Sequence, residues 1–196
     1  MLAFSPSPAA ASVQLIDRQD PRRAEVEAFI GGVYAERYGA KLRTFAPMLV
    51  ALYDEHGPVA AAGFRAAADG PLFLERYLDA PVERLLGAAP LPRSGIVEVG
   101  HLVARKAGEG RRLILLLGPV LAAQGYRWVV STLTEELRLL FLRLGVAPLA
   151  LGVADPQRLG DAAADWGSYY EHYPVVLAGS LEAALQVLAR RRGVSA

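Results

Sequence analysis

No cysteine occurs among the 196 residues, which excludes thiolate nucleophiles, disulfides and cysteine metal sites. Only three histidines are present, His56, His101 and His172, and their scatter gives no reason to expect a metal centre. Neither sign of charge predominates: 21 basic and 20 acidic residues leave a formal charge of +1, so nucleic acid is not an expected partner. Long apolar runs are missing too. A membrane span needs roughly 20 apolar residues, and the best stretch, LILLLGPVLAAQGY, is shorter and contains Gly118 and Pro119. The opening segment MLAFSPSPAAASV has no basic region ahead of its apolar residues, and Pro6 and Pro8 interrupt it. It reads as a flexible tail over residues 1–14 rather than an export signal, and a cytoplasmic location is expected.

What is present is a folding composition. Hydrophobic residues make up 53% and charged residues 21%, and the chain is long enough to bury a core without covalent staples. No repeat or low-complexity linker divides residues 15–196, so one domain is expected there. Asp20 and Pro21 open a helix that ends near Tyr38, with Gly39 just beyond it. EHGP separates MLVALYD from VAAAGFRAA, the pattern of an antiparallel hairpin. LFLERYLDAPVERLLG reads as a short strand or turn leading to a short helix near Pro81. Then follow a strand in SGIVEVGHLVA, a helix in GRRLILLLGPVLAAQG ending at Gly125, a strand in YRWVVSTL, and a helix capped by Thr134. A strand in APLALGVA, an aromatic turn, the short run YPVVLAG and a helix from Ser180 to Arg192 close the chain. The pattern predicts a mixed sheet with helices on both faces.

The stretch EVGHLVARKAGEGRRLILLL carries the clearest chemistry. A strand gives way to Arg105, Lys106, Gly108, Gly110, Arg111 and Arg112, and then to a helix. Glycines let successive amides converge, the helix adds its positive N-terminal end, and the basic side chains surround both. Phosphate or pyrophosphate is the natural ligand of such a loop. An ordinary strand-to-helix turn with solvated charges is the plainer alternative.

Arg-x-x-Gly-x-Gly after a strand, followed by GYRWVVSTL and LFLRLGV, resembles the core of the GNAT acyltransferase superfamily over residues 94–150. That resemblance implies an α+β, three-layer α/β/α fold with a mixed, largely antiparallel sheet. It further implies that strand backbone near Leu102 and Val103 meets a pantetheine arm, and that Arg105, Gly108, Gly110 and Arg111 hold the phosphates. The co-substrate would be acyl-CoA or the acyl-phosphopantetheine of an acyl carrier protein, with no permanently bound cofactor and no metal. Where that superfamily often carries tyrosine, FLRLGV has Phe141, which cannot protonate a departing thiolate. A narrower resemblance, carried by RYGA, GFR, LFLERYLDAPVE, IVEVGHL and WGSYYEHYPVV, is to the thermostable hemolysin family. The chain is also similar in pattern to acyl-homoserine-lactone synthases, whose strand signature Trp-Glu-x-Ser-Arg keeps only its acid here: Glu98 is followed by Gly100 and His101.

Glu98 lies in an apolar strand, where a carboxylate is costly unless it is partnered. Burial would raise its pKa and suit it to accept a proton from an ammonium nucleophile. A buried pair with Arg65 or Arg93 is the structural alternative. Strict alternation puts Glu98 and Gly100 on one face and His101 on the other, whereas a bulge at Gly100 would bring Glu98 and His101 together. His101 is then either a core histidine or an orienting group. Glu75 and Asp79, four residues apart, are expected to make an electronegative pocket for an amine or a solvated charge cluster. Arg65 is expected to anchor a carboxylate or to pair with one of these acids. Tyr169 and Tyr170 cap a core, line an acceptor pocket, or supply the proton that Phe141 lacks. The expected function is N-acyl transfer from a thioester to the amine of an amino acid or related molecule. A membrane-active hemolysin and a non-catalytic acyl-donor-binding module are the alternatives.

Overall fold

The structure, a computed structural model, describes residues 13–87 and 91–194. Most of the expected tail thus lies outside the described residues. Seven strands form one sheet in the order β1-β2-β3-β4-β5-β7-β6: β1 (Gln14–Ile16), β2 (Met48–Asp54), β3 (Gly57–Ala66), β4 (Ile96–Ala104), β5 (Trp128–Leu133), β6 (Leu149–Val153) and β7 (Val175–Ser180). The β4–β5 pair is parallel and the rest are antiparallel. This is the mixed, largely antiparallel α+β sheet that the sequence predicts. Strand β1 was not expected; three residues are too few to show a period.

Alternation along β2 and β3 divides the core. Leu49, Ala51 and Ala61 pack under α1 (Arg23–Tyr38), while Val50, Leu52, Ala60 and Ala62 pack under α3 (Glu109–Ala123). The short α2 (Val82–Leu85), α4 (Glu135–Arg143) and α5 (Leu181–Val194) complete the helices. Helix α1 starts two residues later than expected, although the Asp20 carboxylate still accepts from the Arg22 amide at 2.8 Å, as an N-cap ahead of Pro21 does. Its end agrees with expectation: Gly39 adopts φ +66° and donates back to Ala35. Helix α3 runs through Pro119 to Ala123. LFLERY is a 3-10 turn over Phe73–Tyr77, and the aromatic segment becomes a longer run of 3-10 turns over Pro156–His172, interrupted at Gly160 and Gly167.

Two irregularities in β4 shape the middle of the sheet. Pairing with β5 stops at Glu98↔Val130, although β4 continues to Ala104 and β5 to Leu133. Beyond that point the β5-facing backbone of β4 has no ladder partner. On the other edge, Gly63 pairs with Gly100 but Ala61 pairs with Val103, so β4 carries one extra residue between them.

Candidate active site

The extra residue changes which face His101 occupies. It holds φ +53°, a left-handed conformation uncommon for a residue with a side chain. Leu102 then packs on the α3 side and Val103 on the α1 side, so the alternation resumes one residue out of step. His101 therefore joins Glu98 in lining a cavity of about 460 Å³ on the α1 face. Gly63 gives the imidazole room: a Cβ there would stand 2.8 Å from the Ala46 Cβ and 3.3 Å from His101 Nδ1.

Glu98 forms the cavity's acid. Its Oε2 accepts from the Phe73 amide at 3.0 Å and its Oε1 from the Leu74 amide at 2.9 Å. These donors are the opening amides of the 3-10 turn, groups that helical turns leave unsatisfied. Burial is the largest influence on this carboxyl and pushes its pKa up, against the opposing pull of the two amides and of Arg65. Arg65 faces Glu98 directly across the β3–β4 ladder but forms no hydrogen bond with it among the described residues. Burial, reinforced by Arg65 and Arg23, lowers the His101 pKa to about 4, which leaves the imidazole neutral at pH 7. Its Nδ1 is buried with no hydrogen-bond partner.

Aromatic rings from four segments wall the cavity: Tyr34 of α1, Phe45 of the loop before β2, Phe73 and Tyr77, and Trp166 and Tyr169. The Phe45 and Tyr34 rings stand 5.6 and 6.2 Å from His101. Tyr169 lines the cavity and donates to the Thr132 carbonyl of β5 at 3.4 Å, whereas Tyr170 hydrogen-bonds Tyr77 at 2.7 Å and contributes no wall. Burial raises the Tyr169 pKa well above that of a free phenol, so it stays protonated.

The two acids read as an amine pocket sit elsewhere. Glu75 is saturated by the amides of Leu72 and Val82 and by the Arg93 guanidinium, all at 2.8–3.1 Å. Asp79 is exposed and pairs with Arg158. Arg93, considered a partner for Glu98, holds Glu75 and Glu83 instead. The structure thus brings Glu98, His101, Arg65 and Tyr169 together and separates Glu75, Asp79 and Tyr170 from them. The sequence reading missed Phe45, Phe73, Arg76 and Trp166 as cavity wall. A lone phenylalanine in the polar loop KLRTFAP was the available signal for Phe45.

On the opposite face an apolar slot of about 110 Å³ lies between β5, α3, α4 and α5. Leu102 and Phe141 both line it, together with the buried Ser131. Val99 borders slot and cavity alike, beside the point where β4 and β5 part. In the loop after β4, Gly108 takes φ +87° and starts α3, while a Cβ on Gly110 would stand 3.4 Å from Ala104. Lys106 pairs with Asp54 and Arg112 with Glu109. Arg105 lies over the Phe29 ring at 5.4 Å, and Arg111 is exposed. Val103 is buried against α1.

The profile of one family, described as thermostable hemolysin, matches residues 16–185. The chain belongs to the thermostable hemolysin family. Among solved structures it is similar to TofI, crystallised in a ternary complex with an inhibitor and MTA. That likeness has 18% identity over 91% of this chain and 96% of the other, with a TM-score of 0.64. The acyl-homoserine-lactone synthase LasI matches at 14% identity over 86% and 89%, with a TM-score of 0.59. BjaI, a CoA-dependent acyl-homoserine lactone synthase solved with SAM and isopentyl-CoA, matches at 12% identity over 94% and 90%, with a TM-score of 0.61. No curated protein matches by sequence. The fold of this thermostable hemolysin family member is therefore the GNAT-like one that its loop motif implied. Among the described residues no helix is long and apolar enough to cross a membrane.

Proposed function

We propose that this protein transfers an acyl group from a CoA or carrier-protein thioester to the amine of an amino acid or a related small molecule. The observation that carries the reading is Glu98: an unpaired carboxylate with a raised pKa, set in a cavity beside the gap between β4 and β5. The thioester arm enters that gap, where the β5-facing backbone of β4 offers amides and carbonyls. The Gly108–Gly110 loop, with Arg105 and Arg111, takes the phosphate. The apolar slot beyond Val99 receives the acyl chain.

Glu98 accepts the ammonium proton. The freed amine then attacks the thioester carbonyl, forming the C–N bond as the C–S bond breaks and the thiolate leaves. Phe141 faces the apolar slot and carries no proton to give. The Tyr169 hydroxyl, held neutral beside Thr132, is placed to relay the second proton of the attacking nitrogen to the thiolate, giving one proton and recovering the other as the amide forms. The neutral His101 imidazole orients the incoming amine.

The test is incubation of purified protein with acyl-CoA and acyl-carrier-protein donors and a panel of amines, with amide products read by mass spectrometry. Thermal shift with the thioesters is measured in parallel. Amide formation together with a thioester shift is expected, and absence of both refutes acyl transfer. Thioester binding without any amide product would make this a donor-binding module, the reading that Phe141 favours. Leakage of liposomes by the pure protein without substrates would instead favour direct membrane lysis.

A further inference from the structure

The cavity around Glu98 is unbalanced in charge. Lys41, Arg43, Arg65 and Arg76 line it, against the carboxylates of Glu98 and Asp165 alone. Arg43 and Asp165 neutralise one another through hydrogen bonds of 2.9 and 3.1 Å. Three cations thus face a single acid. Neither Arg65 nor Arg76 has an ion-pair partner within 4.0 Å among the described residues. Arg65 stands opposite Glu98 in the ladder, and Arg76 belongs to the same short turn whose amides hold the Glu98 carboxylate. The proton acceptor and two free guanidinium groups are therefore mounted on one turn and one strand pair.

We infer that the acceptor is an α-amino acid bound through two points, its amine at Glu98 and its carboxylate at Arg65 and Arg76, and that the site disfavours an acceptor with an additional positive charge. This rests on the acyl-transfer reading and names its acceptor class. A guanidinium presents parallel N–H donors that match a carboxylate, so two of them define position as well as charge. In an α-amino acid the amine and carboxylate share one carbon, the separation that neighbouring Arg65 and Glu98 side chains can serve together. The aromatic wall does not reverse this preference. Arg76 already lies over one face of the Phe73 ring at 5.5 Å, so its positive charge stands against the wall that a sulfonium or quaternary ammonium would approach. The SAM with which BjaI was solved carries such a sulfonium, and here it would meet Lys41, Arg65 and Arg76.

The experiment measures binding of each proteinogenic L-α-amino acid, its α-carboxamide, SAM and S-adenosylhomocysteine to the full chain by calorimetry, with acyl transfer to each read in parallel. At least one amino acid is expected to bind, with its carboxamide at least tenfold weaker and SAM no tighter than S-adenosylhomocysteine. Arg76→Gln, at an exposed position that the fold tolerates, is expected to weaken amino-acid binding about tenfold while leaving the thioester thermal shift unchanged. Equal binding of acid and carboxamide, tighter binding of SAM than of its thioether, or binding of no amino acid would overturn the inference. Transfer to a carboxamide as fast as to its acid, or to SAM faster than to S-adenosylhomocysteine, would leave acyl transfer standing and refute only this account of the acceptor. Amino-acid binding without transfer from any thioester would do the reverse.

Discussion

The two sides of the Phe73–Tyr77 turn hold two carboxylates in opposite states. On one side Glu75 bonds the amides of Leu72 and Val82 and both terminal nitrogens of Arg93. Despite the cost of burial, which is the largest single influence on it, its pKa falls below the ordinary carboxylate value. On the other side Glu98 takes two amides of the same turn but no guanidinium, and its pKa rises. At the more deeply buried Glu98, two backbone donors and the non-bonded Arg65 do not offset desolvation; at Glu75 the hydrogen-bonded Arg93, added to two backbone donors, does. The difference separates an acid that fastens the fold from one left free to take a proton.

The contrast is broken most severely from the structural side. Arg93 also holds the carbonyls of Ala67 and Gly70 and the Glu83 carboxylate. Arg93→Met should therefore cost about 3 kcal/mol, because it strands Glu75 in a partly buried site. The shift in denaturant midpoint measures it. A loss below about 0.5 kcal/mol would mean that Glu75 is as unconstrained as Glu98.

The cavity side is sharpened by pH. An unfolded histidine protonates near 6.5, but folded His101 does so only near 4. Stability is thus lost as pH falls from about 6.5 to 4, by roughly 2–3 kcal/mol for this group. Glu98 works in the opposite sense: with its folded pKa raised, the folded state gains stability as pH falls toward the unfolded carboxylate value. The comparison that isolates His101 is His101→Asn, since asparagine tolerates φ +53°. Its stability should vary less than wild type between pH 6.5 and 4, and an unchanged profile would count against a buried neutral imidazole.

A smaller effect is expected at Gly63→Ala. The added methyl would meet Ala46 and crowd His101, costing about 1–2 kcal/mol by overpacking. Smallest is Asp79→Ala, within about 0.5 kcal/mol, because its pair with Arg158 is solvent-exposed. A calorimetric loss of several kcal/mol there would show that the turn is fastened at its exposed end too.

Local signals were legible where a residue type has one dominant use. Gly39 closes α1, the glycine loop opens α3, and a glycine beside a strand histidine marks the bulge that carries His101 onto the Glu98 face. Pairings set by tertiary contact were not legible. Arg93 and Glu75 are 18 residues apart with no periodic link, and the spacing of Glu75 and Asp79 suggested a shared pocket that the 3-10 turn does not build. The cavity's excess cations come from a loop, a strand and a turn, which only the assembled sheet brings together.

Glu98 is the group proposed to take the proton from the acceptor amine. It is tested most directly by the single-turnover rate of amide formation for wild type and Glu98→Gln with the same thioester and amine, after confirming equal thioester binding. A rate loss of about 10²–10⁴-fold is expected in the variant, the usual contribution of a positioned base. A Glu98→Gln rate equal to wild type would contradict it.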